Sequence, residues 1–344
     1  MSDLMESREA MQAREATQAE PRAPSELLEL ACPLCGPCGS ELRVELSRAG
    51  RPWRLRRCNY CNLVFLAQRP RAWREASVGD AGPEAPSAAD VAEARGDVDA
   101  ARSVGLGEPR RVLLAGGAAT ALEPWRAAWP ALEAWVASDD PRGVAEAGRL
   151  GFQVVQARLE DLGGTEGERL REHGPFDAIV CVDSLDERDD PRASLAALRS
   201  LARDGAVLVA RGVDCGGAQE RRFRHGAWHA YQPPRRAHFF NPFNLARLAG
   251  GEGFEKRLVQ ALPDARGWIR SWRAELALRG TASDVVALLR DDHPLLSAWF
   301  GFVDRRAARQ GRRTSRLRFV ATARPGPAPG AGNSFAPAAR APAR

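Results

Sequence analysis

Short apolar runs alternate with stretches of helical spacing through the middle of the chain. Arg111–Ala115, Ala134–Ser138, Phe152–Gln156, Phe176–Val182 and Ala206–Ala210 are dominated by Val, Ile, Leu, Phe and Ala. Runs apolar on both faces are what strands of a helix-covered parallel sheet require. The intervening segments are long enough for crossover helices, which are right-handed almost without exception. Lys256–Ala261 and Leu317–Ala323 add two further strands. The pattern predicts an α/β fold, a Rossmann-like seven-stranded sheet. Residues 89–105 place small apolar residues at helical spacing. Residues 262–311, with Trp268, Trp272 and Trp299, read as a helical insertion before the last strand.

The two ends break this rhythm. Residues 1–29 read as a flexible leader, 30–68 as a small cysteine-bearing module and 69–88, rich in Pro, Ala and Gly, as a linker. The main domain then runs over 89–323, and 324–344 has the composition of a disordered tail. No apolar run approaches the roughly 18–20 residues that cross a bilayer. The leader lacks the apolar centre of a secretory signal. The expectation is a cytoplasmic protein with no membrane partner.

Charge changes this picture little. The formal net charge is +6, but Lys256 is the only lysine among 50 basic residues. So much Arg beside abundant Ala, Gly and Pro reads as compositional bias spread over a solvated surface. Nucleic acid is therefore not the expected partner, although a basic balance also permits it.

Four of the seven cysteines form two tight pairs, Cys32/Cys35 and Cys58/Cys61, separated by 22 residues. Two CxxC turns can present four thiolates tetrahedrally to Zn²⁺, so the module reads as a zinc ribbon. Gly36 and Asn62 follow the second cysteine of each pair, where a left-handed residue lets the backbone aim its N–H groups at sulfur. Such a site is closed and structural. Cys38 is either a replacement ligand or spare. Arg54, Arg56 and Arg57 flank the second pair, as a solvated strand face or a phosphate contact.

The knuckle pair, the run LVFL, the turn Gly116-Gly117 after the first main strand, Phe176-Asp177-Ala178-Ile179-Val180, and Pro234-Arg235 with His238-Phe239-Phe240-Asn241-Pro242 together carry a resemblance. The chain resembles the class I S-adenosylmethionine-dependent methyltransferases that bear an N-terminal zinc-binding domain, a group that includes sugar C-methyltransferases. The resemblance implies S-adenosylmethionine as cofactor, held by Gly116 and Gly117, by Asp139 or Asp140 at the ribose, by Glu160 and Asp161 near the adenine, and by Asp183. It departs from the family turn at Leu114, where an acid is usual, and at Ala118 and Thr120, where glycines are usual. Gly116-Gly117 also reads as a plain strand-to-helix turn, and Asp139-Asp140-Pro141 as a helix N-cap.

His238 and Glu187 are the candidate catalytic residues, His238 as general base because an imidazole titrates near neutrality. The alternatives are a structural histidine packed between aromatics and a solvated loop. The function expected is methyl transfer to a small molecule, a sugar or secondary metabolite. The competing reading is an inactive methyltransferase-like scaffold with a protein partner or a second copy of itself.

Overall fold

The computed structural model describes residues 27–48, 51–71, 73, 87–282, 286–291 and 293–326. Most of the expected leader, linker and tail lies outside them. The strands in chain order are β1 (Leu27–Glu29), β2 (Ser40–Arg48), β3 (Arg51–Cys58), β4 (Val64–Leu66), β5 (Gln68–Pro70), β6 (Arg111–Ala115), β7 (Glu133–Ser138), β8 (Gln153–Gln156), β9 (Phe176–Val182), β10 (Ala202–Val213), β11 (His238–Phe239), β12 (Phe254–Leu262) and β13 (Arg316–Ala323). The helices are α1 (Ala88–Ser103), α2 (Glu123–Ala128), α3 (Pro141–Arg149), α4 (Thr165–His173), α5 (Pro191–Leu201), α6 (Ala218–Phe223), α7 (Pro242–Gly251), α8 (Ala265–Leu278) and α9 (Pro294–Arg309).

Seven strands form one sheet in the order β12-β13-β10-β9-β6-β7-β8. The run from β10 to β8 is parallel throughout. Only β13 runs against its neighbours, β10 and β12. Counted along the sheet, the parallel strands follow the order 3-2-1-4-5, the doubly wound arrangement whose direction reverses between β6 and β9. Alternation along each strand sends side chains to two cores. Leu113, Ile179 and Leu208 meet Leu195 of α5 and Leu245 of α7 on one face. Val112, Val180 and Val209 meet Val98 of α1, Trp125 of α2 and Ala147 of α3 on the other. Leu114, in the place of the family's usual acid, is fully buried in that second core.

The cysteine module is a second sheet, β11-β4-β3-β2. Its edge strand β11 comes from the main domain, with His238 opposite Phe65 and Phe239 opposite Val64. The end of the expected leader and the start of the expected linker pair as β1 and β5. The boundary at residue 69 therefore falls inside a strand, and Arg69 is fully buried. Arg54 and Arg57 reach across the ladder to Glu45 and Glu41 of β2, and Arg56 to Ser40, so this row is a paired strand face. No helix among the described residues is long and apolar enough to cross a membrane.

Candidate cofactor crevice and thiol site

The switch point between β6 and β9 opens at the carboxyl ends of the strands, the usual place for a ligand in such sheets. There the chain turns through Gly116 (φ 75°) and Gly117 (φ 91°). Space as well as backbone angle demands glycine. A Cβ on Gly116 would stand 2.7 Å from Cβ of Ser184, and one on Gly117 would stand 2.8 Å from Cβ of Val182. Ser184 donates its hydroxyl to the Ala115 carbonyl at 2.8 Å, tying the exit of β9 onto the glycine turn.

Asp139 follows β7, the strand beside β6. Its Oδ1 lies 3.2 Å from Nη1 of Arg188, whose Nε donates to the Ser184 carbonyl at 3.0 Å. Arg188 is 5% exposed. Burial works against its charge, but Asp139, Glu160 and Glu187 hold the guanidinium above the ordinary arginine value. Glu160 accepts the Asp189 N–H at 3.1 Å, fixing the same turn from the β8 side. Arg69 of β5 locks the turn from below, with a 3.3 Å contact to Asp189, a 2.6 Å bond to the Glu187 carbonyl and its guanidinium 3.5 Å from the Trp73 ring centroid.

The other residues expected at the site are placed differently. Asp140 is the N-cap of α3 and accepts the Arg142 N–H at 3.0 Å, as the alternative reading had it. Asp161 is exposed on a 3-10 turn, Leu159–Gly163. Asp183 adopts φ 48° and meets Arg316 Nη2 at 2.5 Å and Arg236 Nη2 at 3.4 Å. Burial opposes its ionisation, yet these arginines hold its carboxyl below the usual range. Glu187 is held by Arg235 Nε at 2.7 Å, and burial pushes its carboxyl up.

His238, the expected general base, lies in β11. Its ring is 1% exposed, in a strand sealed between the small sheet and the 187–189 turn. Burial and the nearby Arg69 push its pKa down to about 4.

At the tip of the small sheet, the sulfur atoms of Cys32, Cys35, Cys58 and Cys61 all lie within 4.8 Å of one another. Gly36 (φ 68°) and Asn62 (φ 60°) take the left-handed turns expected of them. Their N–H groups return to the carbonyls of Cys32 and Cys58 at 2.8 and 3.0 Å. Tyr60 N–H points at Cys58 Sγ, 3.4 Å away. Sulfurs about 2.3 Å from a tetrahedral Zn²⁺ would be roughly 3.8 Å apart, so the four thiols fit the metal in type and spacing. Cys38 stands outside the quartet, its Sγ 3.3 Å from that of Cys58.

Reading the chain for acids and glycines missed the arginines that answer them: Arg69, Arg188, Arg236 and Arg316. None carries a local pattern that separates it from a surface arginine.

Residues 108–259 match the family model of a methyltransferase domain. The matched stretch spans β6 to β11 and most of β12. No curated protein sequence matches the chain. Among solved structures, a candidate sarcosine dimethylglycine methyltransferase from Galdieria sulphuraria is 11% identical, with 67% of this chain and 85% of that one covered at a TM-score of 0.45. An S-adenosylmethionine-dependent methyltransferase from Thermotoga maritima is 16% identical, covering 68% and 89% at 0.43. The cyclopropane synthase MmaA2 from Mycobacterium tuberculosis is 15% identical, covering 68% and 83% at 0.42. Likenesses this distant add nothing to the sheet order described above.

Proposed function

We propose that the chain is an S-adenosylmethionine-dependent methyltransferase acting on a small-molecule acceptor. One observation carries this reading beyond the domain match. Two positive-φ glycines after β6 and a part-buried carboxylate after β7, Asp139, lie at the carboxyl ends of adjacent strands beside the switch point of the sheet. The rim fits an adenosyl cofactor in residue type and place, and Arg188 is the group that has to leave Asp139 for it.

When bound, the cofactor supplies an electrophilic methyl group on a sulfonium sulfur. The chain's own part is positional. Gly116 and Gly117 let the backbone approach closely, and Asp139, once released by Arg188, accepts from ribose hydroxyls. Orientation alone supplies much of the acceleration in a transfer of this kind, and His238 is given no proton-transfer role. The four thiolates would hold a structural Zn²⁺, which does no chemistry in a closed site. It would instead fix the small sheet, and through β4 the strand β11 of the main domain.

Calorimetric titration with S-adenosylhomocysteine tests the reading. Saturable binding that disappears in Asp139→Ala is expected. Absence of binding in both the wild type and Arg188→Ala would leave only the scaffold reading.

A further inference from the structure

Three stretches of chain far apart in sequence close a cleft of about 440 Å³: the tip of β2, the loop 226–232 and helix α8. The small sheet supplies Arg48, and α8 supplies Arg270 and Arg273. Trp228 and Tyr231 line the floor, packed edge to face with ring centroids 5.0 Å apart. Among the described residues, no carboxylate lines the cleft. Asp291 answers two of the three guanidiniums from outside, 2.5 Å from Arg270 Nε and 3.2 Å from Arg273 Nη1. Three guanidiniums gathered over a floor of aromatic side chains are a combination that recognises carboxylate and phosphate groups.

His229 closes the inner end. Its backbone N–H donates to Ser271 Oγ at 3.0 Å, its Nδ1 lies 3.2 Å from the same oxygen, and its Nε2 lies 3.6 Å from Asp264 Oδ2. Gly267 makes this possible, since a Cβ there would stand 2.4 Å from the imidazole Cε1. His229 is also within electrostatic reach of Arg236 and Arg316, the pair that holds Asp183 at the end of β9. That pair links the inner end of the cleft to Asp183 at the carboxyl end of β9.

We propose that this cleft is the acceptor site and takes an organic anion, a carboxylate or a phosphate monoester, through Arg48, Arg270 and Arg273. Its role as acceptor site rests on the methyl-transfer reading; its binding of anions does not. The proposal also gives the cysteine module a task, because one wall of the cleft is the end of its strand β2.

The test is calorimetric titration of the full chain with benzoate, phenyl phosphate and the neutral benzyl alcohol. Saturable binding of at least one anion is expected, weakened by added salt, with benzyl alcohol not binding. The preferred anion identifies the acceptor as a carboxylate or a phosphate ester. Loss of one charge-assisted contact in Arg273→Met should weaken binding about tenfold. Arg48→Met, at an exposed strand end, should do the same with an unchanged melting temperature, which guards against misfolding as the cause. No saturable binding of either anion, equal binding of benzyl alcohol, or wild-type affinity in both variants would overturn the proposal. S-adenosylhomocysteine titrated into the same preparation keeps the two readings apart. Cofactor binding without anion binding removes only the cleft assignment.

Discussion

Arg188 meets Asp139, the Ser184 carbonyl and the glycine turn at once, so a single side chain governs the crevice. Arg188→Ala should tighten S-adenosylhomocysteine binding, because the free protein no longer has to give up an ion pair to admit it. The same change should lower stability by about 1–3 kcal/mol, since it removes an ion-pair partner from a part-buried carboxylate. Calorimetry and urea melts separate the two effects. Gly117→Ala should also cost about 1–3 kcal/mol, from the strained φ and the contact with Val182. The histidines give a pH dependence. Burial pushes His238 and His229 from 6.5 down to about 4. Between those values the unfolded chain binds more protons than the folded one. Stability is therefore full above pH about 6.5 and lost as pH falls toward 4, by up to about 3 kcal/mol per histidine. Thermal melts across this range should show the fall, and His238→Phe should flatten part of it.

At the scale of elements, metal and strand pairing are coupled. Metal analysis should find about one zinc per chain, and Cys58→Ser/Cys61→Ser should lose it. Because β11 pairs with β4, amide exchange at His238 and Phe239 should rise in that double variant. Retained zinc or unchanged exchange would contradict the coupling. Elements of this size were legible in the sequence wherever burial on both faces wrote a continuous apolar run. Arg111–Ala115 and Phe176–Val182 match β6 and β9 residue for residue. β10 outruns its expected Ala206–Ala210 because β13 pairs with it as far as Val213 and a register shift carries it back to Ala202. β1, β5 and β11, at two or three residues each, are too short to show any period. Gly36 and Asn62 were legible because a knuckle needs left-handed residues at fixed places. Arg188 was not, because its partners come from β7 and from the far end of its own turn.

Across the whole molecule, arginine is a structural residue as much as a surface one. Arg69, Arg188, Arg199, Arg211 and Arg318 are all buried, against the expectation of a solvated surface. Asp97 of α1 meets Arg318 Nε at 2.7 Å and Arg211 Nε at 2.8 Å, and Glu93 meets Arg211 Nη1 at 2.7 Å and Arg316 Nη1 at 3.0 Å. Arg316 passes the chain of charges on to Asp183, and Arg236 carries it to Asp186 at 2.7 Å. The network fastens α1 to β10 and β13 and ends at the rim of the crevice. Asp97→Ala leaves two buried guanidiniums short of a partner and should cost about 3–5 kcal/mol in urea melts.

The account centres on a cofactor crevice that Arg188 holds shut in the free protein. Isothermal titration of S-adenosylhomocysteine into the wild type, Arg188→Ala and Asp139→Ala tests that most directly. The predicted result is binding in the wild type, tighter binding in Arg188→Ala and none in Asp139→Ala. Equal affinity in all three proteins, or no heat in any of them, would contradict it.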